Sequence, residues 1–299
     1  MGVMRAVKTF AMETVDKFYE LLGVDKRQPV ADPATKPWCA VCFIESTFGE
    51  NEKEHGSGFL ISPRMVLTAA HNLCQLDDNG KRMAARQIEI RLGNLADSGQ
   101  KPIVATRFVY DKRYADDLEQ QETNSSGPRM RAVQFEDPSC YDYGVIFLDK
   151  EVVPKPVFVF KVRGTEPDDS NWDKPLMCAG YPADRNFKLC YAEGAAYPDA
   201  SGRFMGKKQN ILVHRTYATE GESGGPLYVE EENGEFVAVG IQVRYNPPLP
   251  KRKSTNGAVR ITRNMQKAFE TWEEENSKVN SQLGKGNHDV DVDTQILIA

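Results

Sequence analysis

The chain has 299 residues, 40% hydrophobic and 27% charged, with a formal net charge of -5. Those figures suit a soluble globular protein of one large domain or two ordinary ones, and they exclude a wholly disordered chain. The acidic balance leaves no electrostatic footprint for nucleic acid, with only the short cluster Lys251-Arg252-Lys253 on the basic side, and no run approaches the ~18 apolar residues of a bilayer span. The six cysteines, at 39, 42, 74, 140, 178 and 190, are too sparse for a disulfide scaffold and are expected as free core thiols of a reducing compartment.

In chain order, residues 4 to 23 place Val7, Phe10, Ala11, Val15, Phe18, Leu21 and Leu22 at helical spacing before Gly23, which predicts an amphipathic helix. Lys8, Glu13, Asp16, Lys17 and Glu20 interrupt any secretory apolar core, and Ala6 stands where a myristoylation motif wants Ser or Thr. The expectation is a cytoplasmic protein, with export by a route lacking a signal peptide left open. "VDKRQPVADPATKP" (24 to 37) is polar and Pro-rich, a linker closing an N-terminal segment 1–36. From 37 onward short apolar runs alternate with Gly, Pro, Asp and Asn: "WCAVCFIES", "GSGFLI", "RMVLTA", "IEIRLG", "YGVIFL", "PLMCAGY", "NILVHRTY", "PLYVEE" and "VAVGIQV". Such spacing predicts an all-β barrel or sandwich. Segments 97 to 140 and 161 to 175 read as long loops. Residues 261 to 275 put Ile261, Met265, Ala268, Phe269 and Trp272 on one helical face, and 276–299 reads as a flexible tail.

The chemistry centres on "TEGESGGPL" (219 to 227). Its Gly221-Glu222-Ser223-Gly224-Gly225 fits the G-x-S-x-G elbow of α/β-hydrolases, which run Ser, acid, His along the chain. After Ser223 the one histidine is His288, in the tail, so that order fails. A serine nucleophile needs a histidine base held by a carboxylate. Of the four histidines, His55 lies in the charged run "ENEKEHG" and reads as a solvated turn, and His214 as a core or pocket-wall residue. His71 closes "RMVLTAAH", a strand ending in small residues, which suits a base at a barrel rim. Asp142, immediately before the apolar "YGVIFL", is the best carboxylate, ahead of Asp137 and Asp149. Cys39-x-x-Cys42 and His71-x-x-Cys74 have zinc-like spacing. Residues three apart on the expected strand "WCAVCFI" point to opposite faces, so no metal or other cofactor is expected.

With "LTAAH", "DYGVIFL" and "GESGGP" in this order, the chain resembles the chymotrypsin-like serine peptidases over roughly residues 38 to 275, and "YDYGVI" and "AGYPAD" are closer to the glutamyl-endopeptidase branch. The resemblance implies two six-stranded antiparallel β-barrels, here 37–155 with His71 and Asp142, and 156–275 with Ser223 and the closing helix. It implies Ser223 as nucleophile, His71 as base, Asp142 as its orienter, and the Gly221 and Ser223 N–H groups as the oxyanion hole. It places Tyr217, Glu220, Gln242, Val243 and Arg244 against substrate, with 240 to 244 pairing with the substrate backbone. Glu222 stands where the digestive enzymes carry an Asp that pairs with a new N-terminus, and no Ile-Val-Gly-Gly-like site precedes the barrel. Trypsin-like specificity wants Asp where Tyr217 falls, and glutamyl specificity wants His where Gln242 falls. The expected function is a monomeric serine endopeptidase acting on protein or peptide through an acyl-enzyme. A catalytically silent binding protein of this fold, or an esterase, is the alternative.

Overall fold

The computed structural model describes residues 25–50, 52–77, 79–93, 101–105, 107–116, 138–152, 158–166, 174–194, 210–214, 216–244 and 256–283. The expected helix over 4–23, the Lys251 to Lys253 cluster, Asp137 and His288 lie outside the described residues. The strands are β1 (Gln28–Pro29), β2 (Val41–Phe48), β3 (Glu52–Ser62), β4 (Met65–Thr68), β5 (Cys74–Leu76), β6 (Arg82–Ala84), β7 (Gln87–Leu92), β8 (Ile103–Ala105), β9 (Arg107–Tyr110), β10 (Gly144–Phe147), β11 (Lys161–Val162), β12 (Leu176–Gly180), β13 (Cys190–Gly194), β14 (Ile211–His214), β15 (Pro226–Glu230), β16 (Phe236–Arg244) and β17 (Asn256–Arg260). A short helix α1 spans 112–116 and the long helix α2 spans Arg263–Leu283. None of the described helices is long and apolar enough to cross a membrane.

Two barrel-like sheets carry the fold. The first is antiparallel in the order β8-β7-β2-β3-β4-β10-β9, and the second runs β1-β13-β12-β15-β16-β17-β14 with β11 added parallel to β16. The architecture is all-β, as expected; among the described residues the two sheets hold seven and eight strands, the short β1 and β11 being added to the second. β4, "MVLT", is buried at every position because it lies between β3 and β10. Its side chains join Phe59, Leu60, Val145 and Ile146 in the core. Helix α2 begins after Thr262, whose Oγ1 accepts the Met265 N–H. It buries Met265, Phe269 and Trp272, with Phe269 edge-on to Tyr143, and each such side chain contributes roughly 1.5–3 kcal/mol on burial.

Five expectations are corrected. The polar stretch 24 to 37 is not a free linker: Gln28–Pro29 pairs with Tyr191 and Cys190 on β13, and Arg27 is buried. Segment 97 to 140 contains β8, β9 and α1, and Phe108, Val109 and Tyr110 enter the core, a short apolar run masked by polar flanks. Segment 161 to 175 likewise begins with β11. Helix α2 continues eight residues past 275, because Asn276 is also buried and extends the packed face. Trp38–Ala40 forms a 3-10 turn, so the strand expected from Trp38 starts at Val41. All six cysteines are buried, and none forms a disulfide.

Candidate active site

The first pair is placed by strand register. In β10, Gly144 lies opposite Thr68 of β4, so the residues just before β10 face those just after β4. His71 sits in the 3-10 turn Ala70–Asn72 that follows β4, and Asp142 in the approach to β10. Asp142 Oδ1 accepts the His71 backbone N–H at 2.9 Å, and Oδ2 accepts the ring Nδ1–H at 2.7 Å. The carboxylate thus fixes both the position and the tautomer of the imidazole, leaving Nε2 as the free basic nitrogen. Asp142 is buried while the His71 side chain stays 34% exposed. Burial depresses the His71 pKa, and the adjacent Asp142 charge and hydrogen bond outweigh it, holding the imidazole above its ordinary value.

Ser223 belongs to a turn between Thr219 and β15. Gly221 and Gly224 have φ of +91° and +89°, a region that side chains avoid. A Cβ on Gly224 would stand 2.1 Å from the Ser57 carbonyl oxygen, and one on Gly221 2.5 Å from that of Tyr181, so both positions exclude any side chain. The first barrel staples this turn. The Ser57 N–H donates to the Ser223 carbonyl at 2.7 Å, Asn72 Nδ2 donates to the same oxygen at 3.0 Å, and Ser57 Oγ donates to the Gly221 carbonyl at 2.8 Å. Ser57 Oγ also accepts the Tyr181 N–H at 2.9 Å. Asn72 follows His71 directly, so one short turn carries the His71 imidazole and anchors the Ser223 backbone. Among the described residues, the N–H groups of Gly221 and Ser223 donate to no protein acceptor.

The remaining expected residues separate by burial. Gln242 is buried and brackets the serine turn through main-chain bonds, Gly224 N–H to its carbonyl at 2.6 Å and its own N–H to Gly225 at 2.9 Å. Its side-chain Nε2 donates to the Arg244 carbonyl, so its Oε1 accepts from His214 Nε2 at 2.8 Å. His214 Nδ1 then accepts from Thr216 Oγ1, and burial pulls the His214 pKa down to about 4. Val243 is the bulge residue between Gln242 and Arg244, which pair with Ala258 and Gly257 of β17; on the opposite edge of β16 the β15 ladder ends at Ile241, opposite Pro226. Glu220 and Arg244 are exposed. Tyr217 is buried beneath the Arg27 guanidinium, 4.9 Å from its ring centre.

His55 differs from its expected solvated turn: it lies half-buried on β3, bonded to Glu45 and packed on Phe43 and Phe187. Among the described residues no group of three or more His, Cys, Asp or Glu is arranged to hold a metal. Ser57, Asn72 and Arg27 went unnoticed in the sequence. Asn72 had a signal in its adjacency to His71, whereas Ser57 and Arg27 reach the site only through long-range packing.

A trypsin-like peptidase domain model matches residues 56–239. A search of the curated proteins finds no match. Among solved structures, the chain is similar to a Glu endopeptidase in complex with MPD, with a TM-score of 0.57, 17% identity, and coverage of 84% of this chain and 97% of that one. It is similar also to the protease Anisep from Arthrobacter nicotinovorans, with a TM-score of 0.54, 15% identity, and coverage of 82% and 98%.

Proposed function

Because the chain belongs to the trypsin-like peptidase family, we propose that it is a serine endopeptidase that cleaves protein or peptide substrates through an acyl-enzyme. The observation that carries this reading is the His71–Asp142 pair, set in the same turn as the Asn72 amide that anchors Ser223. In this reading Ser223 Oγ attacks the scissile carbonyl carbon, and His71 Nε2 takes the hydroxyl proton. Asp142 stabilises the imidazolium that forms. The N–H groups of Gly221 and Ser223 receive the developing oxyanion, each such donor supporting the transition state by roughly 3 kcal/mol. The C–N bond then breaks, and His71 delivers its proton to the leaving amine. Water, deprotonated by the same nitrogen, releases the acid and regenerates Ser223.

In this reading the substrate backbone adds to the edge of β16 beyond Ile241, where the β15 ladder ends. Neutral His214 and Gln242 supply no cation for an acidic side chain near pH 7, and exposed Arg244 and Glu220 carry opposite charges at the rim. The test is fluorophosphonate labelling together with digestion of a peptide library. Labelling at Ser223 with peptide cleavage supports the reading, labelling retained in Ser223→Ala defeats it, and labelling with ester but no peptide turnover assigns an esterase.

A further inference from the structure

Glu222 lies between the two residues whose N–H groups are offered to the oxyanion, and its side chain is fully buried. Its Oε2 accepts the Thr219 N–H at 2.7 Å, while its own N–H returns to the Thr219 carbonyl. The carboxylate therefore closes the 219–222 loop on itself. Its cation is Arg27, also fully buried, with Nη1 at 3.3 Å from Oε2 and 2.6 Å from Thr219 Oγ1. Arg27 is held in turn by paired bonds to Asp25, at 3.0 and 2.7 Å, and to Asp184, at 2.9 and 2.5 Å. Arg185 bonds Asp25 at 3.0 Å. The neighbouring Ala183 N–H holds the Glu220 carbonyl, and Gln28–Pro29 is tied to β13.

We propose that Arg27 is a positioning residue for the hydrolytic centre: as the internal counter-ion of Glu222, it keeps the Gly221 to Ser223 backbone in the oxyanion-binding conformation. The proposal rests on the serine peptidase reading. A buried carboxylate stripped of its cation either takes a proton or turns toward water. Because Glu222 links Gly221 to Ser223, turning it rotates the Glu222–Ser223 peptide, which bears the Ser223 N–H, and the Gly221–Glu222 peptide, whose carbonyl Ser57 Oγ holds, so that Gly221 is displaced with it. Burial already pushes the Glu222 carboxyl up to about 7, with the Asp184 charge adding to the rise, against the pull of Arg27 and the Thr219 N–H. The acid beside the nucleophile thus finds its partner in the interior of the chain, without a terminus made by cleavage.

The experiment uses the full chain. Wild type and Ser223→Ala are first compared by fluorophosphonate labelling, and a wild type unlabelled at Ser223 defeats the peptidase reading before any Arg27 variant is judged. In folded Arg27→Met, kcat is expected to fall about 10²-fold, the effect of one displaced oxyanion donor, with KM within about threefold. Affinity for a peptide aldehyde, which forms a tetrahedral adduct, falls by the same factor. Wild-type kcat and aldehyde affinity in the folded variant overturn the proposal, as does a loss confined to KM. Should Arg27→Met fail to fold, Glu222→Gln removes the ion pair at constant shape and carries the same expectation and the same refutation.

Discussion

Ser57→Ala isolates the staple between the barrels. The hydroxyl makes two buried bonds, donating to the Gly221 carbonyl at 2.8 Å and accepting the Tyr181 N–H at 2.9 Å. Its loss strands one backbone acceptor and one backbone donor in the interior. A bare buried partner costs about 1–3 kcal/mol, so the two together cost about 2–6 kcal/mol. For a chain of this size that lowers Tm by roughly 3–10 °C. The Gly221 carbonyl is also free to rotate, and kcat is expected to drop about 10-fold to 100-fold while KM moves little. The control is Ser46→Ala, because Ser46 is equally buried but its Oγ has no hydrogen-bond partner. That change breaks no bond and leaves Tm within about 2 °C. Thermal unfolding and ester burst kinetics read both variants side by side. Equal Tm and kcat for Ser57→Ala and Ser46→Ala refute the staple.

Ser223→Ala is expected to lose fluorophosphonate labelling and about 10⁶-fold in turnover. Asp142→Asn replaces one of two acceptors facing His71 and should cost about 10⁴-fold in kcat, measured with a peptide substrate; near-normal rates would assign the orienting role to another carboxylate. Since Asp142 raises the His71 pKa and only neutral His71 is a base, kcat/KM rises with pH through a limb above the ordinary histidine value, and in Asp142→Asn that limb moves to lower pH. His214 shows the opposite sign. Its folded pKa, about 4, lies below the unfolded value of about 6.5, so the unfolded chain protonates first and this contribution to stability is lost as pH falls through that window. Chemical denaturation at stepped pH should show a shallower loss in His214→Gln than in wild type, and parallel slopes would contradict the assignment. Deleting residues 1–36 removes Arg27 and leaves Glu222 as an uncompensated buried acid, a loss of about 3–5 kcal/mol detectable as a lowered urea midpoint.

The sequence by itself determined the class of fold and singled out the candidate reacting groups. Short apolar runs between turn residues are local signals, and they report strands wherever the flanks do not mask them. His71, Asp142 and Ser223 were legible because a serine nucleophile tolerates few partners, and four histidines in one chain order leave little choice. The tertiary structure decided what supports those groups. Nothing local in "VDKRQP" distinguishes Arg27 from a solvated lysine or arginine; only the pairing of Gln28 and Pro29 with β13 brings it over Tyr217 and against Glu222. Ser57 is likewise an ordinary strand serine until the second barrel sets the Gly221 and Ser223 carbonyls beside it. These groups act across more than 150 residues of chain, from Ser57 to Gly221 and from Arg27 to Glu222. Hydrophobic periodicity specifies which face of a strand is buried, whereas the partner a buried polar group meets there depends on how the two sheets dock.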